Sequence, residues 1–584
     1  MPNSTQTAEF AQLSTYSVNV GSATTRRLEI LRGDITFTNA AYTVLSAIEE
    51  PPGLVFDNTT FTLASGQVNS VAALIGQSFP ARVNLNADTL WSNTSTLRIG
   101  GNGRGSVAIG SRGTLLSGNT QIGAGTGGGD VLVDGPQAEW RTETTEIGGN
   151  SAGTLAIRGG GIVRGGDSIV GANANGVVTI DGFAPGGVKS TWDLGVKKLS
   201  IGQSGVGTVA VTGAGLLRAG ALDIKAGSSL TVRGEVVGTS ITRSELNLTL
   251  PMTIDGTFLL DDGAMSSHTD ANVTIGSMAA ANMTLRNGGS LRDVGTLLVG
   301  AAQPARLTAD SVSFVSCRSV FIADSAGADG STVVIDRGSL TVTERMSIGR
   351  ETGGSGALEI KDGGFVEYTG LLGVLVNRGT VLVTGRAFFG PSHLLVATAL
   401  SVGAFGAGNL TVSAGARVES QQDVFIDEPL VPSLPTVTVG GADPISGTGS
   451  TLVALGEVFI GSISQRARLV VTEDGKVSGG SAVIGSGPQS VAQVDVGSQG
   501  LGQPARFEVA RDFNIGLQGV GTLTLRNGGI VSVGGQLNVG DRGTIRGNGT
   551  LSAPSRFVSN NGVIAPGLSP GLITIDANFT QSSG

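Results

Sequence analysis

A dipeptide of isoleucine or valine followed by glycine recurs along most of this 584-residue chain and constrains its fold more than any other feature. We call this dipeptide the Ile/Val-Gly step. In the first run of repeats, successive steps lie 23, 25, 23 and 31 residues apart, and in the last run they lie 24, 31 and 24 residues apart. A period of roughly 20 to 50 residues indicates a repeat architecture, which grows by stacking equal units. The two runs are Ile99-Gly100, Ile122-Gly123, Ile147-Gly148, Val170-Gly171 and Ile201-Gly202, then Ile460-Gly461, Ile484-Gly485, Ile515-Gly516 and Val539-Gly540.

The clearest copy of the repeat lies between Gly500 and Gly540. After the step at Ile515-Gly516 comes an alternating apolar segment, residues 522–525, then a corner at Asn527-Gly528-Gly529. Alternation with a period of two indicates half-buried strands, and Asn-Gly and Gly-Gly pairs allow positive φ at corners. Residues 285–300 repeat residues 525–540 with the same internal spacing.

These features predict an all-β protein, a right-handed parallel β-helix (β-solenoid) with an irregular N-terminal cap and loop excursions. Inward Val, Ile and Leu side chains would stack on their equivalents, with about 4.8 Å between neighbouring coils. The rival is an antiparallel sandwich, which also uses short alternating strands. Near-identical repeats within one chain favour the solenoid.

Three segments are predicted along the chain. Residues 1–92 would form the N-terminal cap and irregular first coils, with Ala72 to Ile75 compatible with a short helix. Residues 93–545 would be the repetitive solenoid, and 546–584 a C-terminal repeat that we expect to be truncated. Residues 221–270 and 386–450 break the rhythm, so we expect functional excursions there. Four prolines predict one of those loops: Pro429, Pro432, Pro435 and Pro444.

Composition excludes some classes of partner. The net charge is −8 and only 14% of residues are charged. The short basic pairs Arg26-Arg27 and Lys197-Lys198 do not make the basic surface that nucleic acid requires. No apolar run reaches the length of a membrane-spanning helix, and no signal peptide is visible after Met1. We expect a fragment or an incompletely defined gene product; an intact intracellular protein is the rival interpretation.

The repeats and the C-terminal segment together resemble a known family. The Leu-x-Ile-Gly-x-x-Gly pattern with Gly-Gly corners resembles autotransporter-associated β-strand repeats, and residues 562–581, with Pro566-Gly567-Leu568-Ser569-Pro570-Gly571, resemble the passenger-associated transport repeat. The chain is thus similar to the passenger region of bacterial type V autotransporters. The resemblance implies an extracellular or cell-surface location associated with the outer membrane, and a β-barrel translocator outside this chain as a partner.

Candidate chemical groups are few and scattered. Asp261-Asp262 is an adjacent acidic pair, and Glu143 with Glu146 and Glu49 with Glu50 lie close in sequence, but none sits in a lyase or glycosidase motif. His268 and His393 are far apart and near no cysteine, so a zinc site is not expected. Cys317 is expected to be a buried small apolar residue. We therefore assign no catalytic, cofactor-binding or metal-binding residue and expect no enzymatic activity.

Two further patterns have structural as well as functional interpretations. Arg32-Gly33-Asp34 spells an integrin-binding tripeptide, but a plain turn between strands explains it better. Trp140 and Trp192 both follow Gly-rich corners, so we interpret them as equivalent repeat positions that cap the core at a corner. The alternative, functional interpretation is that these two indole rings stack against a carbohydrate.

Two functions follow from the sequence. The first is a non-enzymatic surface rod or adhesin stalk, with receptors or glycans on host or neighbouring cells as partners. The second is a carbohydrate-active β-helix enzyme, a polysaccharide lyase or glycoside hydrolase. The enzyme hypothesis predicts that acidic side chains converge in one groove near residues 221–270 or 386–450.

Overall fold

The computed structural model describes residues 3–46, 52–237, 240–350, 353–388, 390–427, 434–462, 466–497, 502–567 and 571–582. The chain is a β-solenoid of about 23 turns built from parallel stacked coils, which confirms the predicted fold class. Two compact units are distinguished: Met1–Val273 with Ala281–Arg292, called the N-terminal unit, and Thr274–Ala280 with Asp293–Gly584, called the C-terminal unit.

Each coil has three strand positions. In one coil of the N-terminal unit, Leu97–Ile99 occupies the first position and Gly105–Ile109 the second. Thr114–Ile122 then supplies the third position and continues into the first position of the next coil. The strands of the coils pair in parallel with their equivalents one coil earlier or later, so inward apolar residues face one another across the coil boundary.

The strands of the N-terminal unit follow by position. The first position holds Thr7–Phe10, Arg27–Ile30, Leu54–Phe56, Ala73–Ile75, Leu97–Ile99, Ser168–Val170, Leu199–Ile201, Leu222–Ile224 and Met252–Ile254. The second holds Thr15–Asn19, Gly33–Thr38, Thr59–Leu63, Ala81–Leu85, Gly105–Ile109, Gly129–Asp134, Gly153–Arg158, Gly176–Asp181, Gly207–Thr212, Ser229–Arg233, Thr257–Asp261 and Ala281–Leu285. The third holds Ser22–Thr25, Ala40–Val44, Gly66–Ser70, Thr89–Asn93, Ile162–Arg164, Thr191–Asp193, Leu216–Ala219, Glu245–Leu248 and Met265–Ser267, and two strands span third and first positions, Thr114–Ile122 and Glu139–Ile147.

The strands of the C-terminal unit follow the same scheme. The first position holds Val374–Val376, Leu400–Val402, Val424–Ile426, Glu457–Ile460, Ser481–Ile484, Phe513–Ile515 and Leu537–Val539. The second holds Ala305–Asp310, Ser331–Asp336, Gly356–Lys361, Gly379–Thr384, Asn409–Ser413, Thr436–Val439, Ala467–Val471, Val491–Gly497 and Val563–Pro566. The third holds Phe365–Tyr368, His393–Val396, Arg417–Ser420, Ser450–Ala454, Gly475–Gly479 and Arg506–Val509.

The remaining elements span positions or lie outside the coils. Longer strands that cover more than one position are Phe314–Ile322, Ser339–Ile348, Val520–Val533, Gly543–Asn560 and Ile573–Gln581. Val273–Ile275 and Ser290–Val299 each contain residues of both units, Ala326–Ala328 is a short 3-10 helix, and Glu235–Val237, Ser240–Thr242, Arg386–Ala387 and Gly390–Pro391 form hairpins.

Where it occurs, the recurring Ile/Val-Gly step marks the end of a first-position strand. Ile99 pairs in register with Ile122, and Ile122 with Ile147, and all three side chains are fully buried. The glycine that follows turns the chain with a positive φ, as at Gly100, where φ is 83°. A Cβ atom on Gly100 would lie 1.9 Å from the carbonyl oxygen of Gly128 in the next coil. Glycine is therefore required at this position for two reasons: its backbone conformation has a positive φ, and the next coil lies too close for a side chain.

Two of the local sequence predictions were wrong. Ala72 to Ile75 is not helical: Ala73–Ile75 is a strand between Leu54–Phe56 and Leu97–Ile99, because Ala73 and Ile75 are buried in the apolar ladder. The strand Thr436–Val439 separates Pro435 from Pro444, so these prolines mark two connections and not one loop.

Some predictions lie outside what the structure tests. Pro429 and Pro432 fall outside the described residues. Parallel pairing extends back to Thr7–Phe10, which pairs with Arg27–Ile30. The role of residues 1–92 as a cap, and the segment boundaries at 92/93 and 545/546, stay predictions. Among the described residues, no helix has the length and apolar character to cross a lipid bilayer.

Replacing a step glycine by alanine should cost far more than replacing a corner glycine. Gly516 and Gly528 both have positive φ, 69° and 80°. A Cβ atom on Gly516 would lie 2.2 Å from the nitrogen of Gly543, whereas one on Gly528 meets nothing within 4 Å. In urea denaturation, Gly528→Ala should lose about 1 kcal/mol from the backbone term alone, and Gly516→Ala at least about 3 kcal/mol. Equal losses would contradict the close-approach explanation.

Candidate functional site

The corner between second-position and third-position strands is normally only a few residues long. Two consecutive residues there take left-handed conformations, as at Asn287-Gly288, where φ is 51° and 81°, and at Asn527-Gly528, where φ is 46° and 80°. Asparagine and glycine tolerate this region better than other residues. These two Asn-Gly pairs therefore mark corners, as predicted, whereas Asn175-Gly176 does not, because Gly176 opens the strand Gly176–Asp181.

Among the described residues, four coils replace this short corner by a hairpin. The N-terminal unit has hairpins at residues 182–190 and 234–244, and the C-terminal unit has them at 385–392 and 440–449. Each is closed by antiparallel pairing, unlike the parallel coils around it. We call these four segments the corner hairpins. The paired residues or strands are Phe183 with Lys189, Glu235–Val237 with Ser240–Thr242, Arg386–Ala387 with Gly390–Pro391, and Ala442 with Gly449.

A buried serine holds the base of every corner hairpin. The Ser190 hydroxyl donates to the carbonyl of Asp181 at 2.7 Å and accepts from the N–H of Gly160, one coil earlier, at 3.1 Å. The same two contacts recur at Ser244, Ser392 and Ser450, and all four side chains have no exposed surface. The serine thus satisfies a backbone donor at the left-handed corner of the previous coil and closes the hairpin.

The two hairpins of the N-terminal unit contact each other across one coil with a short corner. The Lys189 ammonium lies 2.7 Å from the Glu245 carboxylate and donates to the carbonyl of Arg243 at 3.3 Å. Lys189 ends the first hairpin, and Arg243 belongs to the second. The short corner between them is at Gly213 to Gly215. The hydrogen bond to the Arg243 carbonyl joins the two hairpins, and the ion pair with Glu245, at the start of the next strand, holds Lys189 in place.

The two hairpins of the C-terminal unit are arranged in the same way, with a short corner at Ala414-Gly415 between them. Asp443 shapes the second hairpin by accepting the N–H of Ile445 at 2.8 Å and the Ser446 hydroxyl at 2.9 Å. The hydrogen bond from Ile445 is the main cause that lowers the pKa of Asp443, and the positive charge of Arg386 in the first hairpin lowers it further. The charges of Arg386 and Asp443 are therefore opposite on the two hairpins.

The corner hairpins present apolar side chains to solvent. Phe183 and Val188 are about half exposed in the first hairpin, and Ile241 is 55% exposed in the second. In the last hairpin Ile445 is 93% exposed. The hairpins have polar, buried bases and apolar, exposed tips, and such a combination is typical of contact surfaces.

Asp261 lies beside the hairpin at residues 234–244 and is held between two arginines. Its carboxylate is 2.8 Å from Arg233 of the previous coil and 2.8 Å from Arg286 of the next, and Asn287 donates to it at 3.0 Å. Burial alone would raise the pKa of Asp261, but the hydrogen bonds from Arg286, Asn287 and Arg233 outweigh it and lower the pKa. The carboxylate therefore stays ionised and joins three coils.

Neither histidine belongs to a cluster of metal ligands. His268 is fully buried, with its Nε2 atom 2.9 Å from the Ser266 hydroxyl, and burial lowers its pKa to about 4. His393 lies against the ring of Phe365, and burial also lowers its pKa. Within the described ranges, no group of three or more His, Cys, Asp or Glu side chains is placed to hold a metal ion.

Cys317 is buried, and burial raises the pKa of its thiol to about 12, as expected of a small residue in the apolar interior. Glu146 accepts a hydrogen bond from Gln121 of the previous coil at 2.9 Å, and Glu143 is exposed. Glu49 and Glu50 lie outside the described residues. Among the described residues, Cys317, Glu143 and Glu146 do not form a cluster of metal ligands.

The tryptophans occupy equivalent third-position sites, as predicted. Trp140 pairs with Val163 and Val163 with Trp192, and both indoles are fully buried. They lie in strands and not at corners, and burial rules out stacking against a carbohydrate. Trp91 was missed, although it stands in the same ladder two coils before Trp140.

The Arg32-Gly33-Asp34 tripeptide lies where one strand ends and the next begins. Gly33 has a φ of 83° and opens the strand Gly33–Thr38, so the turn interpretation is confirmed. Asp34 is exposed and accepts a hydrogen bond from the Thr15 hydroxyl at 3.4 Å.

Removing a hairpin serine should destabilise its hairpin locally. Ser392→Ala leaves the buried N–H of Gly363 without its acceptor, which should cost about 1 to 3 kcal/mol. We expect faster trypsin cleavage after Arg386, measured by limited proteolysis, and a lower urea midpoint. Ser401→Ala, at a half-buried outward position, is the matched control and should change neither. Equal cleavage of both variants would contradict the role of the serine.

Asp261→Asn should remove an acid-sensitive part of the stability. Because the pKa of Asp261 is lower in the folded state, its stabilisation is present above the unfolded pKa of about 4 and is lost as pH falls below it. At pH 7 the variant should lose about 2 kcal/mol in urea denaturation, and at pH 3 the difference from wild type should shrink. Asp262→Asn is the control, because asparagine fits its positive φ of 51°. An unchanged difference at both pH values would contradict the prediction.

Comparison with known proteins identifies no family. No family model matches the chain, and no curated protein sequence matches it. Among solved structures, the chain is similar to the crystal structure of the TibC-catalysed, hyper-glycosylated TibA fragment 55–350, with 14% sequence identity and a TM-score of 0.25. That similarity covers 81% of this chain and 99% of the fragment. At this TM-score it carries no argument about function.

Proposed function

We propose that this chain is a non-enzymatic bacterial passenger, at the cell surface or secreted, that acts as an adhesin stalk or structural rod. The observation that carries the proposal is the unbroken parallel ladder within each unit. In the C-terminal unit, Ile348, Val376, Val402 and Ile426 stand in register on successive coils and are fully buried. Such a ladder makes a stiff scaffold and leaves its outer surface free to vary.

The scaffold protects its own backbone. An internal strand such as Leu400–Val402 is paired on both sides, so its amide groups are engaged by neighbouring coils. Unfolding one coil would expose two strand edges and the apolar side chains of its neighbours. This property suits a protein that must persist outside the cell among proteases.

The corner hairpins supply the contact points in this proposal. Their exposed apolar tips stand on bases fixed by buried serines, so a partner meets a preformed surface. Binding elements on loops carried by a rigid scaffold are a common arrangement. The proposed partners are receptors or glycans on host or neighbouring cells, and an outer-membrane β-barrel translocator would carry the chain outward.

The alternative is a carbohydrate-active enzyme that uses the acidic pair near residues 221–270. A lyase or hydrolase needs a group that takes up or releases a proton at the working pH. Asp261 is ionised and engaged by Arg233 and Arg286, which suits a cross-coil link better than proton transfer. This geometry favours the non-enzymatic proposal.

The proposal is tested on the intact producing bacterium and on the purified chain. Surface biotinylation should label the protein on whole cells, and the purified chain should bind to epithelial cells or to neighbouring bacteria. Incubation with pectin, alginate and cellulose should release no reducing ends or unsaturated uronates. Labelling only after cell lysis, or turnover of any of these polysaccharides, would overturn the proposal.

A further inference from the structure

A hollow of about 640 Å³ crosses the outer face of the C-terminal unit. Its floor is formed by the outward side chains of three successive first-position strands, Phe321, Ser347 and Leu375, which stand in register. The parallel strands all run the same way, so residues before them line one edge and residues after them the other. Arg345 lies at the first edge, and Asn377 lies at the second.

Asn377 occupies a place that glycine holds in the neighbouring coils. It follows Val376, which is in register with Ile348 before Gly349 and with Val402 before Gly403. Gly349 and Gly403 have positive φ, and Asn377 is not among the residues that do. This coil has therefore exchanged the step glycine for a polar side chain that is 3% exposed.

The amide of Asn377 is fixed in one orientation. Its nitrogen Nδ2 donates to the carbonyl of Gly349 at 3.3 Å and to the Ser347 hydroxyl at 3.2 Å, while that hydroxyl donates to the same carbonyl at 2.9 Å. A flipped amide would place Oδ1 against the Gly349 carbonyl, and two acceptors repel. Oδ1 has no hydrogen-bond partner in the protein.

An acceptor buried without a partner is unusual and costly. The protein does not supply a donor to Asn377 Oδ1, so a hydroxyl or N–H from outside would satisfy it. Asn377 lines the hollow, and its Oδ1 has less than 1 Å² of exposed surface, so a donor in the hollow reaches this acceptor once the side chains over it move aside on binding. The first requirement on a ligand is therefore a hydrogen-bond donor near Asn377.

The second requirement is negative charge at the opposite edge. Arg345 is exposed, and across the part of the chain that the structure describes no carboxylate lies within ion-pair range of it. The other arginine of the hollow, Arg350, is different because it is paired with Asp324 at 2.8 Å. Along the strand direction, Arg345 and Asn377 are about four residues apart, or roughly 13 Å.

Between these polar edges the hollow is apolar. Phe321, Leu375 and Leu298 contribute half-buried side chains to it, and Phe405 and Leu372 are 36% and 65% exposed at its rim. A ligand that fits has an apolar face, a hydroxyl at one end and an anionic group at the other, over about the length of two sugar rings.

We propose that this hollow binds an acidic saccharide, with one uronate-containing disaccharide as the minimal unit. A ring C–H face would lie on Phe321 and Leu375, a hydroxyl would donate to Asn377 Oδ1, and the carboxylate would pair with the Arg345 guanidinium. A peptide suits the site less, because the strands of the floor are paired on both sides and offer no free edge to a peptide backbone. The site depends only on residues of the C-terminal unit and goes beyond the proposed surface role.

Isothermal titration of the purified full chain with digalacturonate tests this site. Wild type should bind, with release of no unsaturated product. Arg345→Glu, which reverses the charge, and Asn377→Gly, which restores the residue of the neighbouring coils, should each weaken binding about tenfold or more. Arg306→Glu is the matched control, since Arg306 is exposed on a second-position strand of the same unit, and it should bind as wild type does. Circular dichroism melts check that each variant is folded.

Several results would overturn the proposal. These are no binding of digalacturonate, sialyllactose or a heparin disaccharide by wild type; equal binding of neutral cellobiose; tighter binding of an acidic tripeptide; or binding that survives Arg345→Glu and Asn377→Gly. The surface role is tested separately by labelling and adhesion. If the chain binds the saccharide but is not displayed at the surface, the saccharide site is supported and the surface role is wrong. If the chain is displayed but binds no saccharide, only the proposal of the saccharide site is wrong.

Discussion

The in-register parallel stacking of coils, secured in many coils by a glycine directly after the first-position strand, is the constraint on which the structure depends. At Gly100 and Gly516 the backbone of the next coil lies where a Cβ atom would be, and φ is positive. Where this glycine is present, the chain turns at the same place in the coil, and the Ile or Val residue before the glycine has its side chain buried in the interior. A shift of one residue would turn every inward side chain outward, so the buried ladder and the close corner define one register.

The four corner hairpins all lie between second-position and third-position strands, where some corner glycines have open space around them. A Cβ atom on Gly182 or Gly187 of a corner hairpin, or on Gly528 of a short corner, would meet nothing within 4 Å. Lengthening an open loop costs little entropy. The connection after a first-position strand also varies in length, and the one after Phe314–Ile322 contains the 3-10 helix Ala326–Ala328. Each corner hairpin needs only one serine to satisfy the backbone donor that the short corner would have satisfied.

Much of the fold could be predicted from the sequence because the period, the inward alternation and the glycine step are local patterns. Three of the four corner hairpins overlap the two segments that break the rhythm, residues 221–270 and 386–450. The hairpin at 182–190 was missed, although the 31-residue spacing from Val170 to Ile201 signalled an insertion. Local preference failed at Ala73–Ile75, where burial in the ladder overrides it.

The groups with candidate chemical roles were hard to predict because their partners lie one coil away. Ser190 contacts Gly160 and Asn377 contacts Gly349, separations of 30 and 28 residues along the chain. Serine is a common residue and these serines do not recur at a fixed spacing. The sequence alone therefore could not distinguish the hairpin serines from the other serines of the chain. Asn377 did carry a signal: a valine followed by asparagine stands where its neighbours have glycine.

Stacking in register also explains why the outer surface diverges while the interior repeats. Equivalent outward residues lie about 4.8 Å apart on successive coils, where like charges repel. Asp134, Arg158 and Asp181 accordingly alternate in sign in one ladder, and Asp495 lies between Arg468 and Arg526 much as Asp261 lies between Arg233 and Arg286. Apolar stacking favours identical neighbours inside, whereas charge favours different ones outside. A repeat protein built this way keeps a uniform core and acquires individual surface sites, of which the hollow at Asn377 is one.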